Sequence, residues 1–376
     1  MATGDREKQM EEKKEKIGMA LSGGGIRATI FHLGVIKWMA ENNMLGNISR
    51  ISSVSGASLA IGLIYSHNSL KWPTDYEYIN NVLPKIRKII LKQDIQKKII
   101  LKLLYKPYYL SKRVNLLSGI CESEWGIKGK LSDLDQTPKW FVNCTTFETG
   151  KRFKFSQEEM GDYKIGYVKK PSLKIADIVA ASAGFPILIG PYKLYTKDYK
   201  WHKPPFSGDS WSPPTNKYLH LWDGGVYDNL GMESIFKPDN GGKLEDDVSF
   251  IIVSNASHRL SYKKRKIGLN FRGLKRLLDI SMNQNISLRS RSVVDYIKRT
   301  KNGIFINIGN NATWILKESK SDKIELSSLL ETCLSHTDTE KVRTYETTLS
   351  RPSEYEFDLI LRHGYEVAMC TYTCYQ

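Results

Sequence analysis

Short, continuously apolar runs alternate along this chain with longer stretches in which apolar residues recur every three or four positions. The first run, Lys16–Leu21, is too short for a helix and enters Ser22-Gly23-Gly24-Gly25, so it predicts a buried strand ending in a glycine turn. Residues 27–42 then place Ile30, Phe31, Leu33, Ile36, Met39 and Ala40 on a broad stripe of helical period. The arrangement recurs at once. Ile48–Val54 predicts a strand, Ser55-Gly56-Ala57-Ser58 a turn, and Leu59–Tyr65 the start of an apolar helix. Two strand–turn–helix units in succession point to a parallel sheet covered by helices.

Farther along, residues 75–112 predict basic helix, with Lys and Arg interleaved among Ile and Leu. Residues 141–147 and 152–155, joined across Glu148-Thr149-Gly150-Lys151, predict a hairpin. A helix over 173–183 ends in Gly184-Phe185-Pro186, and 192–216 reads as a loop rich in Trp, Pro, Tyr and Lys. Strands are expected at 218–222, 248–254 and 303–308. Residues 261–276 form a second basic stretch continuing as helix to about 299, and 324–376 look helical. With no repeat and no linker, the expected organisation is a polar tail (1–16), one catalytic domain (17–310) with a basic helical insertion near 75–112, and a helical C-terminal segment (311–376) packed on it.

Charge narrows the partners. The net charge is +16, which favours nucleic acid, an acidic protein or an anionic membrane face. The N-terminal residues lack the apolar core of a secretory signal, and no apolar run reaches 18 residues, so neither a leader nor a spanning helix is expected. Cys121, Cys144, Cys333, Cys370 and Cys374 are scattered and odd in number, which reads as reduced thiols in a cytoplasmic protein. Cys370 and Cys374 share a helical face but lack a nearby His to complete a zinc site, and no metal or cofactor is expected.

Three motifs carry chemistry. Gly56-Ala57-Ser58-Leu59-Ala60 lies between strand and helix, the setting of a nucleophile elbow, with Ala60 where G-x-S-x-G has its last glycine. Gly23-Gly24-Gly25-Ile26-Arg27 opens a helix whose unpaired N–H groups suit an anion, either a phosphate or an oxyanion. A nucleotide loop fits poorly, since no G-K-[ST] follows and Ala28 leaves G-x-G-x-x-G incomplete. Asp223-Gly224-Gly225 ends a strand and, alone, reads as a turn.

Together with N-C-T-T-F-E-T-G-K-R-F-K-F, A-A-S-A-G-F-P (residues 180–186) and D-G-G-V-Y-D-N-L-G, in that order, these motifs resemble the patatin-like phospholipase family over residues 17–254, and more weakly to about 370. The resemblance implies an α/β, three-layer α/β/α fold with a mainly parallel central sheet. It also implies a Ser–Asp dyad, with Ser58 as nucleophile and Asp223 as base. Gly23, Gly24 and Gly25 would form the oxyanion loop, and Gly56, Gly224 and Gly225 would support the turns. Arg27 stands ready to steady the loop or to meet a lipid phosphate. An ordinary Asp, near pKa 3.9, is a weak base for a hydroxyl, so the dyad demands burial that raises it. His32 and His220 are the rivals for a Ser–His–Asp triad.

The expected activity is hydrolysis of fatty-acyl esters of membrane phospholipids through an acyl-enzyme, with no cofactor and with peripheral association to an anionic membrane surface. A need for an activating ligand or protein is left open, and nucleic acid is disfavoured as a partner. The alternatives are a small-ester or thioester hydrolase on the same dyad, or a basic membrane- or nucleic-acid-binding protein with a vestigial site. Basic amphipathic stretches at 85–106 and 262–278 suit a membrane surface or a solvated face, and the Trp201–Trp211 loop suits an interfacial flap or plain surface.

Overall fold

The computed structural model describes residues 15–105, 108, 112–186, 189–205, 211–258, 260, 271–319, 330 and 332–376. Most of the polar tail (1–14), and residues 261–270 of the second basic stretch, lie outside the described residues.

The first unit is β1 (Ile17–Leu21) and α1 (Gly25–Glu41), the second β2 (Ile48–Val54) and α2 (Gly56–His67). The basic insertion is divided. Helix α3 (Asp75–Glu77) opens on a capping box between Thr74 and Glu77, a π turn spans Tyr78–Val82, and α4 (Leu83–Lys92), α5 (Ile95–Tyr105) and α6 (Arg113–Glu124) follow. Next come β3 (Lys139–Thr146), β4 (Arg152–Phe155), β5 (Glu159–Asp162), β6 (Gly166–Lys169), α7 (Ile175–Ser182), β7 (Tyr192–Tyr195) and β8 (Tyr218–Asp223). The chain continues through α8 (Gly225–Asp228), β9 (Phe236–Lys237), β10 (Lys243–Leu244), β11 (Phe250–Asn255), α9 (Phe271–Thr300), β12 (Gly303–Asn307) and α10 (Ala312–Ser319). It ends in α11 (His336–Thr344) and α12 (Glu354–Tyr375). The stretch expected as continuous helix to 376 is therefore interrupted by an irregular segment at 345–353, and β5, β6 and β7 fall where no strand was expected.

A ten-stranded sheet runs β12-β11-β1-β2-β3-β4-β5-β6, with β8 pairing on β3 and β7 on β8 beside this path. From β12 to β3 the pairs are parallel, and β4–β6 extend the sheet antiparallel. Strand alternation divides the core into two faces. Met19, Leu21 and Ile252 join α1, α2, α7 and α12 on one side, whereas Ala20, Ile251 and Val253 meet Val293 and Tyr296 of α9 on the other. These are the three layers, α/β/α. Helix α12 crosses α1 at very close range, since a Cβ on Gly34 would come within 2.0 Å of the Leu361 carbonyl oxygen, and one on Gly364 within 2.1 Å of that of Phe31. The C-terminal helix is thus built into the same core as the first.

One junction positions the site. Strand β2 pairs with β3 up to Val54 opposite Asn143, and β8 approaches along the same edge of β3 from the other end, stopping with Asp223 opposite Cys144. The C-terminal ends of β2 and β8 therefore meet head to head on neighbouring residues of β3.

Candidate active site

Where β2 gives way to α2, the turn residue is Ser55. Its backbone sits at φ 53° and ψ −117°, a conformation L-residues seldom adopt, and helix α2 begins immediately after it at Gly56. This strained strand–helix turn is the geometry of a nucleophile elbow. The Ser55 hydroxyl donates to the Asp223 carboxylate, whose Oδ1 also accepts the N–H of Gly225 at 2.7 Å. Burial is the dominant influence on Asp223 and pushes its carboxyl up to about 6, while these two hydrogen bonds pull the other way.

Ser58, expected in the turn, lies instead in the first turn of α2 and is fully buried. Its hydroxyl meets those of Ser53 (2.9 Å) and Ser182 (3.0 Å). Donor arithmetic orients the chain. The Trp140 indole N–H donates to Ser53 at 2.9 Å, and Ser182 donates to the Asn143 carbonyl at 2.8 Å. The remaining protons therefore run Ser53 to Ser58 to Ser182. Ser182 in turn accepts the Ser55 N–H at 2.9 Å. Ser58 and the A-A-S-A-G-F-P serine thus form a polar support beneath the elbow. Ala60 and Ala28, which stand where the motifs favour glycine, lie inside α2 and α1, where no glycine geometry is required.

The glycine loop faces this turn. Gly25 has φ 63° and opens α1, and a Cβ on Gly56 would come within 2.2 Å of the Gly25 carbonyl oxygen, so a glycine at 56 allows the two turns to touch. The Gly23 N–H is taken by the Asn229 carbonyl at 3.1 Å. The N–H groups of Gly24 and Gly25 have no backbone acceptor among the described residues and stand at the positive end of α1. Gly224 is held by its N–H on the Ser182 carbonyl at 3.4 Å, and Asp223 by its N–H on that of Gly184 at 3.1 Å. Farther round the turn, buried Asp228 accepts the N–H groups of Leu230 and Met232 and pairs with Arg289 of α9 at 3.6 Å.

Arg27 is wholly buried. Its guanidinium donates to the Ala256 carbonyl (3.0 and 3.2 Å) and to that of Tyr345. Arg27 does not line the cavity described below, and its guanidinium is committed to these carbonyls. Through it, and through Ile26 N–H donating to the Thr348 carbonyl at 2.8 Å, the segment at 345–350 is strapped across the start of α1. No motif signalled this wall of the site.

The histidine rivals are elsewhere. His32 is buried between the Ser22 carbonyl (2.9 Å) and the Ser254 hydroxyl (3.0 Å), and burial lowers it to about 4. Alternation along β8 turns His220 away from Asp223, and it pairs with Glu148 at 2.7 Å. The indole N–H groups of Trp201 and Trp211 bond to the Thr196 and Ile165 carbonyls, and neither ring lines the cavity described next.

Ser55, Asp223 and the three glycines open into a cavity of about 680 Å³ whose farther walls are largely apolar, with Ile99, Leu103, Phe185 and Ile286 among them. Its size is that of a small-molecule site. A second cavity of about 690 Å³ lies behind the 345–350 strap and holds neither Ser55 nor Asp223. Among the described residues no cluster of His, Cys, Asp and Glu could hold a metal, and all five cysteines are free thiols.

Comparison with known proteins places the fold. In fold the chain is similar to human GIVD cytosolic phospholipase A2, at 13% identity and a TM-score of 0.52, covering 96% of this chain and 60% of that one. The same enzyme in complex with methyl gamma-linolenyl fluorophosphonate and terbium chloride gives 13% identity and 0.50, again over 96% and 60%. VipD from Legionella pneumophila gives 14% and 0.42, over 96% and 67%. This chain thus spans about 60% of the length of the human enzyme. A sequence search of curated proteins finds no match. The patatin-like phospholipase family model matches residues 19–236, more than half of the chain, and the protein belongs to that family of lipid acyl hydrolases.

Proposed function

We propose that the chain hydrolyses fatty-acyl esters of membrane phospholipids through a Ser55–Asp223 dyad. The observation carrying this reading is the strained Ser55 turn, hydrogen-bonded to a buried carboxylate raised to about 6 on the floor of an apolar-walled cavity. Ser55 Oγ attacks the ester carbonyl as Asp223 takes its proton, and the Gly24 and Gly25 amides receive the developing oxyanion. Asp223 returns the proton to the departing alcohol, leaving the acyl group on Ser55. Water, deprotonated by Asp223, then attacks the acyl carbonyl, and Asp223 passes that proton to Ser55 Oγ as the fatty acid leaves. A base near 6 is mostly ionised at neutral pH yet basic enough to share a proton in the transition state. The apolar walls favour a long acyl chain over a small ester or thioester.

Mass spectrometry of phospholipid vesicles incubated with protein tests this assignment. Wild type should release fatty acid, Ser55→Ala should release none, and Ser58→Ala should retain turnover within about tenfold, since it loses support and not the reacting oxygen. A folded but inactive Ser58→Ala beside an active Ser55→Ala would return the nucleophile to Ser58. His258 also lines the cavity, and loss of turnover in a folded His258→Ala would favour a histidine base over Asp223.

A further inference from the structure

Two helices border the Ser55 cavity, and each turns apolar residues both inward and outward. From α5, Ile99 and Leu103 line the cavity, while Leu104 and Tyr105 are 72% and 83% exposed. From α9, Met282 and Ile286 line it, while Leu274 and Leu277 are 58% and 64% exposed. Single exposed apolar residues are ordinary, but here they sit on both of the helices that border one opening. The charge beside them has one sign on α5, which carries Lys97, Lys98 and Lys102 and no acidic residue. Lys98 is tied to Glu124, whereas Lys97 and Lys102 are exposed.

We infer that this rim is a docking face for an anionic lipid bilayer, with Leu104, Tyr105, Leu274 and Leu277 entering the acyl boundary and Lys97 and Lys102 at the level of the phosphates. Interleaved cationic and apolar side chains are the chemistry an anionic bilayer surface recognises. A second copy of the chain would set one net charge of +16 against another. Nucleic acid would satisfy the lysines and leave the leucines in water. The apolar surface is continuous from the rim into the cavity through Ile100 and Leu103, so a docked molecule presents its opening to the lipid phase. Among the described residues no helix is long and apolar enough to cross a membrane, so the contact is one of lying on the surface. The inference rests on the proposed lipid hydrolysis for its purpose but not for its test.

Binding is read by flotation with Ser55→Ala protein, which separates docking from turnover. Binding to phosphatidylglycerol-containing vesicles is expected, falling steeply with salt and weak on pure phosphatidylcholine. Leu104→Asp and Leu277→Asp should each weaken partition roughly tenfold or more. Being exposed, they should leave thermal unfolding unchanged. On the active background the same changes should lower hydrolysis of vesicle lipid by a comparable factor and spare hydrolysis of a dissolved short-chain ester. Unaltered flotation of the double variant, equal binding to neutral vesicles in high salt, or a dimer that Leu277→Asp dissociates would each overturn the docking face. Docking without hydrolysis of any ester by wild type would instead count against the dyad alone.

Discussion

Replacing Asp223 by Asn tests the physical basis of the dyad. The Asp223 carboxyl stands at about 6 against an ordinary value of 3.8. At about 1.4 kcal/mol per pH unit, that difference is roughly 3 kcal/mol against the ionised form in the folded protein. Its cause is burial, since both hydrogen bonds it makes favour the carboxylate. Because the folded-state value is the higher one, the group's contribution to stability is fully present below about pH 3.8. It is lost as pH rises from there through about 6, and the loss is constant above that. Asparagine never ionises, yet it can accept the Gly225 N–H through Oδ1. The variant should therefore match wild type near pH 4 and exceed its stability by roughly 2–3 kcal/mol at pH 8, measured by urea unfolding across the range. Turnover should move the opposite way, falling by roughly 10²- to 10⁴-fold in Asp223→Asn. In the wild type, kcat/KM should climb about tenfold per pH unit up to about 6 and then level. An Asn variant less stable at pH 8, or a wild-type profile flat through pH 6, would refute the argument that burial makes this carboxyl a base.

Other substitutions probe the supports. Gly56→Ala places a methyl within 2.2 Å of the Gly25 carbonyl oxygen, so the glycine loop must retreat, and kcat on a dissolved ester should fall roughly 10²-fold or more while circular dichroism stays native. Ser58→Ala breaks the buried hydroxyl chain between Ser53 and Ser182 and should cost about 1–2 kcal/mol in denaturant titration. Arg27→Ala strands the Tyr345 and Ala256 carbonyls in the interior and should cost about 3 kcal/mol. Limited proteolysis should then cut near 345–350, where wild type resists. Arg27→Lys should rescue little, because one ammonium cannot span the acceptors that the guanidinium fork reaches.

Local pattern and glycine chemistry determined much of this protein. The strand–glycine–helix units, the order of the motifs, and Asp223 at a strand end are legible because each depends on neighbours within a few residues. Burial of Asp223 follows less directly, from a β8 strand whose alternate residues Leu219 and Leu221 share its face. The identity of the serine at the elbow was beyond such reasoning. Ser53, Ser55 and Ser58 crowd six residues, and each has a small residue on one side. The deciding fact is where α2 begins, and that is set by distant contacts: Gly56 against Gly25, and the Ser55 N–H on Ser182. The meeting of β2 and β8 end to end on β3 and the C-terminal strap across α1 likewise belong to tertiary structure alone. Their hydrogen bonds join backbone groups far apart in the chain, and a backbone carbonyl such as that of Thr348 leaves no mark on residue type.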